Sequence, residues 1–92
     1  MTGIWQIALK YPGKTYYIKT KNPQKTLAKI AKKQGIEEIA IHPPNHYYWH
    51  IITPQQLSQL LGGEEIETTI ALHYPPSGGE GYGAGSLQLP SQ

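Results

Sequence analysis

The chain has 92 residues, a formal charge of +2 and no cysteine, so neither disulfides nor cysteine-ligated zinc can stabilise it. All eight basic side chains are lysines between Lys10 and Lys33, and all six acidic ones are glutamates from Glu37 onward, so a basic half precedes an acidic one. The apolar runs are only a few residues long, too short for a membrane-spanning helix, and the opening MTGIWQIALK lacks a secretory signal pattern, so a cytoplasmic protein is expected.

Ile4 to Tyr11 alternates, with Trp5, Ile7, Leu9 and Tyr11 on one side, which is the pattern of a half-buried strand. Pro12-Gly13 supplies a turn, and the β-branched and aromatic run Thr15 to Lys21 returns as a second strand. Asn22 and Pro23 are N-cap and first-turn residues of a helix whose apolar stripe is Leu27, Ile30 and Ala31, closed by Gly35.

The same phrase then recurs. Ile7-Ala8-Leu9-Lys10 is matched by Ile39-Ala40-Ile41-His42 and by Ile70-Ala71-Leu72-His73, a period of about 31 residues. Ile36 to His42 and His46 to Ile52 form the second strand pair around Pro43-Pro44-Asn45. Thr53 caps a second helix with the stripe Leu57, Leu60 and Leu61, stopped by Gly62-Gly63, and Ile66 to Tyr74 adds a last strand. The expected fold is α+β, a tandem ββα repeat (ββα-ββα-β) with a largely antiparallel sheet of up to five strands and two short helices on one face.

Residues 1–74 therefore read as a single domain of two repeats plus a final strand, and residues 75–92 as a flexible Gly/Pro-rich tail. Leu87-Gln88-Leu89-Pro90 within that tail has the look of a short docking segment for a partner. A core this small supplies only ~3–5 kcal/mol, so good packing, self-association or partner binding must complete the stability.

The helix-free face of such a sheet carries Ala8, Ala40 and Ala71 at equivalent places, followed by Lys10, His42 and His73. Tyr17, Lys19, His46, Tyr48 and His50 are placed on the same face by the neighbouring strands. Alanine is a poor strand former, so its repetition points to close approach of another surface. Together these eleven residues form the expected partner-binding face of a small, non-enzymatic regulatory protein, which engages a protein partner or itself through this face or a sheet edge.

The alternative is nucleic-acid binding through Lys10, Lys14, Lys19, Lys21 and Tyr17, with tyrosines as stacking platforms. The absence of arginine weighs against it. A second alternative is a ribonuclease-like toxin, in which His46, His50 or His73 acts beside Tyr48 and Lys19 as acid, base and phosphate clamp. No metal site is expected: in a strand His46 and His50 lie roughly 13 Å apart, and neither Cys nor Asp is present to complete a ligand set. No cofactor or small-molecule substrate is implied.

Overall fold

A computed structural model describes residues 3–76 and 82–90. The chain runs through β1 (Trp5–Tyr11), β2 (Lys14–Thr20), α1 (Pro23–Ile30), β3 (Glu38–His42), β4 (Trp49–Ile52), α2 (Pro54–Leu61), β5 (Ile66–Ala71) and β6 (Gly83–Leu87). The fold is α+β: the strands form one sheet in the order β2-β1-β3-β4-β5-β6, with every neighbour antiparallel.

Local chemistry explains the elements. At the β1–β2 turn Gly13 sits at φ 74°, a conformation that glycine adopts without a Cβ penalty. Asn22 accepts a hydrogen bond from the Lys25 backbone N–H at 3.1 Å, satisfying one free donor of α1. At α2 the cap is reciprocal: Thr53 Oγ1 accepts from the Gln56 N–H, and Gln56 Oε1 accepts from the Thr53 N–H.

The helix-facing side of the sheet holds the main core. Trp5, Ile7 and Leu9 of β1, Ile39 and Ile41 of β3, Ile52 of β4 and Ile66 of β5 pack with Leu27, Ile30, Leu57 and Leu60 of the helices. Ile7, Leu27, Ile39, Ile41, Ile52 and Leu60 are the largest fully buried side chains. Neither eight-residue helix is long enough to be stable alone, so both depend on this contact.

Several expectations are corrected. Among the described residues the sheet has six strands rather than at most five, and the sixth comes from the Gly-rich segment expected to be tail. Gly83 and Gly85 pair opposite Ile70 and Thr68, and a Cβ on Gly85 would approach Ile70 Cγ2 to 2.7 Å. Glycine at alternate positions thus makes room for the Ile70 side chain to lie over the β6 backbone. Leu87 and Leu89 enter the main core, and Gln88 Nε2 donates to the Gly63 carbonyl at 2.8 Å. The segment singled out for docking is therefore docked within the molecule; the remaining tail positions 77–81 and 91–92 lie outside the described residues.

The strand expected from His46 begins only at Trp49. Asn45 adopts φ 68°, and the His46 N–H bonds to the Pro43 carbonyl, so the chain turns back on itself instead of extending. The strand expected over Ile66 to Tyr74 ends at Ala71, after which Tyr74 packs against Ala8 and Ala40 on the helix-free face.

The repeated phrases have unequal surroundings. Those of β1 and β3 pair with each other, Ala8 opposite Ala40, Ile7 opposite Ile41 and Leu9 opposite Ile39. The third phrase pairs instead with β4, Ala71 opposite Trp49. Since β1 and β3 are antiparallel, whereas β3 and β5 both lie antiparallel to β4, the hairpins do not follow one another by a constant step.

Candidate functional site

The helix-free face is built around the Ala8–Ala40 pair. Both alanines are 0 % exposed, and what covers them is Tyr74, itself 7 % exposed. Small residues were needed for close approach, and the approaching surface is the chain's own. Trp49 and Ile51 of β4 pack against the same cluster. The Trp49 ring lies 6.0 Å from Tyr74, 6.4 Å from Tyr17 and 5.2 Å from His42, centroid to centroid.

Tyr74 is held by polar contacts at both ends. Its hydroxyl donates to Glu38 Oε1 at 2.6 Å, and the Tyr17 hydroxyl donates to the Tyr74 carbonyl at 2.9 Å. Burial first, and then the hydrogen bond to Glu38, push the Tyr74 phenol above the ordinary tyrosine range. Tyr74 thus remains a neutral donor on the Glu38 carboxyl group and closes the centre of the face.

Of the residues assigned to a binding face, Ala8, Lys10, Tyr17, Lys19, Ala40, His42 and Ala71 lie on this side of the sheet. Lys10 Nζ is 3.9 Å from Glu37 Oε1, an exposed pair worth about 0–1 kcal/mol. Lys19 and Tyr17 sit on β2, at the sheet edge, and both are exposed. His73 follows the end of β5 and is exposed.

His50 is placed differently from the expectation. It pairs opposite Ile41 on one side and Ile70 on the other, so it points to the helix-covered side, 5 % exposed. The run Trp49-His50-Ile51-Ile52 has apolar residues at both parities, so alternation did not reveal its inward face. His46, in the turn before β4, bends over it. His46 Nδ1 and His50 Nε2 are 3.1 Å apart, not the ~13 Å of an extended strand, because the segment is a turn.

His50 Nδ1 continues the chain to Thr68 Oγ1 at 2.9 Å. Burial, then the nearby His46 and His42, hold the His50 pKa down to about 4. His50 is therefore a neutral, fully hydrogen-bonded core histidine. Tyr48 stands in the same turn, its ring edge-on to Tyr47, and Tyr47 is 75 % exposed. Among the described residues, no three or more His, Cys, Asp or Glu side chains are grouped to hold a metal ion.

The edge strand β2 is the most open part of the assigned surface. Among the described residues, its outer side has no strand neighbour in the sheet. Tyr17 is 57 % exposed, and Tyr16 on the other face is also exposed, with its ring edge-on to Tyr11 and Lys14 Nζ 5.2 Å from its centroid. Leu9, Tyr11, Lys14, Tyr16, Ile18 and Lys33 line a groove beside this edge on the helix side. The partner-binding face expected from the sequence leaves out Tyr16, Trp49, Tyr74 and Glu38, although Tyr16 and Trp49 belong to the aromatic runs that suggest stacking platforms. The signal for Tyr16 was available in the strand's alternation, whereas Tyr74 and Glu38 meet only through a contact 36 residues apart. No family model, curated protein or solved structure matches the chain.

Proposed function

We propose that the protein is a small, non-enzymatic binding protein of the cytoplasm that engages a protein partner, or a second copy of itself, along its β2 edge. The observation that carries this reading is the contrast between the sealed helix-free face and the open β2 edge. Tyr74 seals the centre, while β2 keeps an unpaired outer side flanked by exposed Tyr16 and Tyr17. An extended segment added there gains main-chain hydrogen bonds, and the adjoining aromatic groove supplies side-chain selectivity.

The order ββα, ββα, ββ is consistent with descent from a duplicated ββα unit, whose copies gave the sheet its matched central pair Ala8 and Ala40. On this reading Lys10, His42 and His73 diverged after duplication, around a face closed by Tyr74.

The test is affinity capture with the tagged full chain, with and without nuclease. A partner retained by the native chain after nuclease treatment should be lost with Tyr16→Asp and kept with Gln59→Asp, which alters an exposed position on α2. Retention of the same partner by Tyr16→Asp would overturn the β2 assignment. Loss of all capture on nuclease treatment would favour the nucleic-acid reading, which rests on Lys14, Lys19 and Lys21 lying on or beside the edge that exposes Tyr17. That reading requires affinity for single strands to fall steeply with salt as counterions are released.

A further inference from the structure

The two edges of the sheet are unlike. The β2 edge is basic: Lys14 and Lys19 lie on it and Lys21 follows directly. The β6 edge is Gly83-Ala84-Gly85-Ser86-Leu87, without a charged side chain or a proline, the usual guards of an exposed edge. Immediately inside it, β5 and the residues before it carry Glu64, Glu65 and Glu67. Glu65 Oε2 accepts from Ser86 Oγ at 3.0 Å, and Glu67 pairs opposite Ser86, so this acidic group borders the β6 edge.

Strand parity makes these edges fit each other. With six strands and every neighbour antiparallel, β2 and β6 run in opposite directions. A second copy displaced along the sheet, without rotation, would set its β2 antiparallel to β6 of the first, with the helices of both on the same side. The faces also agree. Lys19, opposite Gln6, and Glu67, opposite Ser86, both project to the helix-free side. Across the join β2 and β5 would lie about 9.6 Å apart, two strand spacings. Carried through the ladders, Lys19 then stands level with Ala71 and Lys14 with Ile66, so a slip of four residues along the strands brings Lys19 level with Glu67 for the two side chains to span this path. The small side chains of β6 leave that path open.

We propose that a second copy of this chain adds its β2 edge to the β6 edge, giving head-to-tail association through a continuous antiparallel sheet. Addition of β2 to β2 would instead set lysines beside lysines, which is unfavourable between adjacent strands. A head-to-tail contact leaves one free edge at each end, so the assembly grows by further copies unless the sheet twist closes it. This proposal rests on the reading of β2 as the binding edge and names its occupant.

Sedimentation velocity with charge-swapped full chains tests it. The native chain should gain mass with concentration in about 50 mM salt and lose that gain in about 500 mM salt, where charges are screened over a few ångströms. Lys14→Glu/Lys19→Glu/Lys21→Glu and Glu65→Lys/Glu67→Lys should each associate about tenfold more weakly or less. Their circular dichroism should match the native chain. An equimolar mixture of the two variants should recover native-like association, since each basic edge again meets an acidic one. A native chain that stays monomeric at low salt overturns the proposal, as do swaps that leave association unchanged or a mixture that fails to recover. If capture by the native chain still depends on Tyr16 in the first case, β2 remains the binding edge with a different occupant. If neither association nor capture depends on β2, the binding-edge reading falls as well.

Discussion

Tyr74 joins three strands that do not contain it: its ring packs on Ala8 of β1 and Ala40 of β3, and its carbonyl accepts from Tyr17 of β2. Tyr74→Phe removes the hydroxyl donated to Glu38 and should destabilise the protein by about 1–2 kcal/mol, read as a lower midpoint in urea. Tyr74→Ala also uncovers two buried alanines and should cost about 3–5 kcal/mol. His50 gives a pH signature. Its folded pKa of about 4 lies below the ordinary 6.5, so below about pH 6.5 the unfolded chain takes up a proton that the folded chain refuses. Stability from this group should be full above pH 6.5, fall as the pH drops toward 4, and change no further below. Thermal unfolding between pH 7 and 5 should show this slope in the native chain and a flatter one in His50→Gln. The variant should be less stable at pH 7 by about 1–3 kcal/mol, because Thr68 loses its partner.

At the scale of elements, β6 illustrates how a weak strand sequence is made a strand by its neighbour. Glycine is a poor strand former, yet Gly83 and Gly85 give Ile70 the space that larger residues would fill. Gly85→Val should force Ile70 and Thr68 aside, destabilise by about 1–3 kcal/mol, and raise amide exchange in β5 and β6 while β1 and β2 stay protected. The helices behave more simply. Thr53→Ala removes one half of the α2 capping box and should lower stability by about 1 kcal/mol, measurable as a shift of the urea midpoint without a change in slope.

For the whole molecule, the sheet joins the first and last segments into one core. Leu87 and Leu89 belong to the same hydrophobic core as Trp5, Leu27 and Leu60, so the glycine-rich segment contributes to the same hydrophobic unit as the N-terminal strand. Ending the chain at residue 76 removes both leucines, each worth about 1.5–3 kcal/mol when buried, and bares the β5 edge. That loss rivals the ~3–5 kcal/mol a core of this size provides. The shortened chain should therefore be largely unfolded or aggregated at 25 °C, seen as lost near-ultraviolet circular dichroism. A chain that kept a cooperative transition near the native midpoint would show β6 to be dispensable.

The sequence by itself determined the local grammar: alternation in Trp5–Tyr11, the Pro12-Gly13 turn, the Asn22 and Thr53 caps, and the leucine stripes of both helices. Each depends on residues a few positions apart, so each is visible in a short window. The sequence also marked Ala8 and Ala40 as places of close approach, because small residues at repeated strand positions leave space. Only the tertiary structure decided what fills that space. Tyr74 reaches it after the chain leaves β5, and its hydroxyl finds Glu38 across 36 residues. The inward turn of His50, the His46 contact created by Asn45, and the use of Gly83 and Gly85 as a strand beneath Ile70 likewise depend on which strands become neighbours. Pairing between distant segments is set by the sum of many burials and hydrogen bonds, and no single short stretch encodes it.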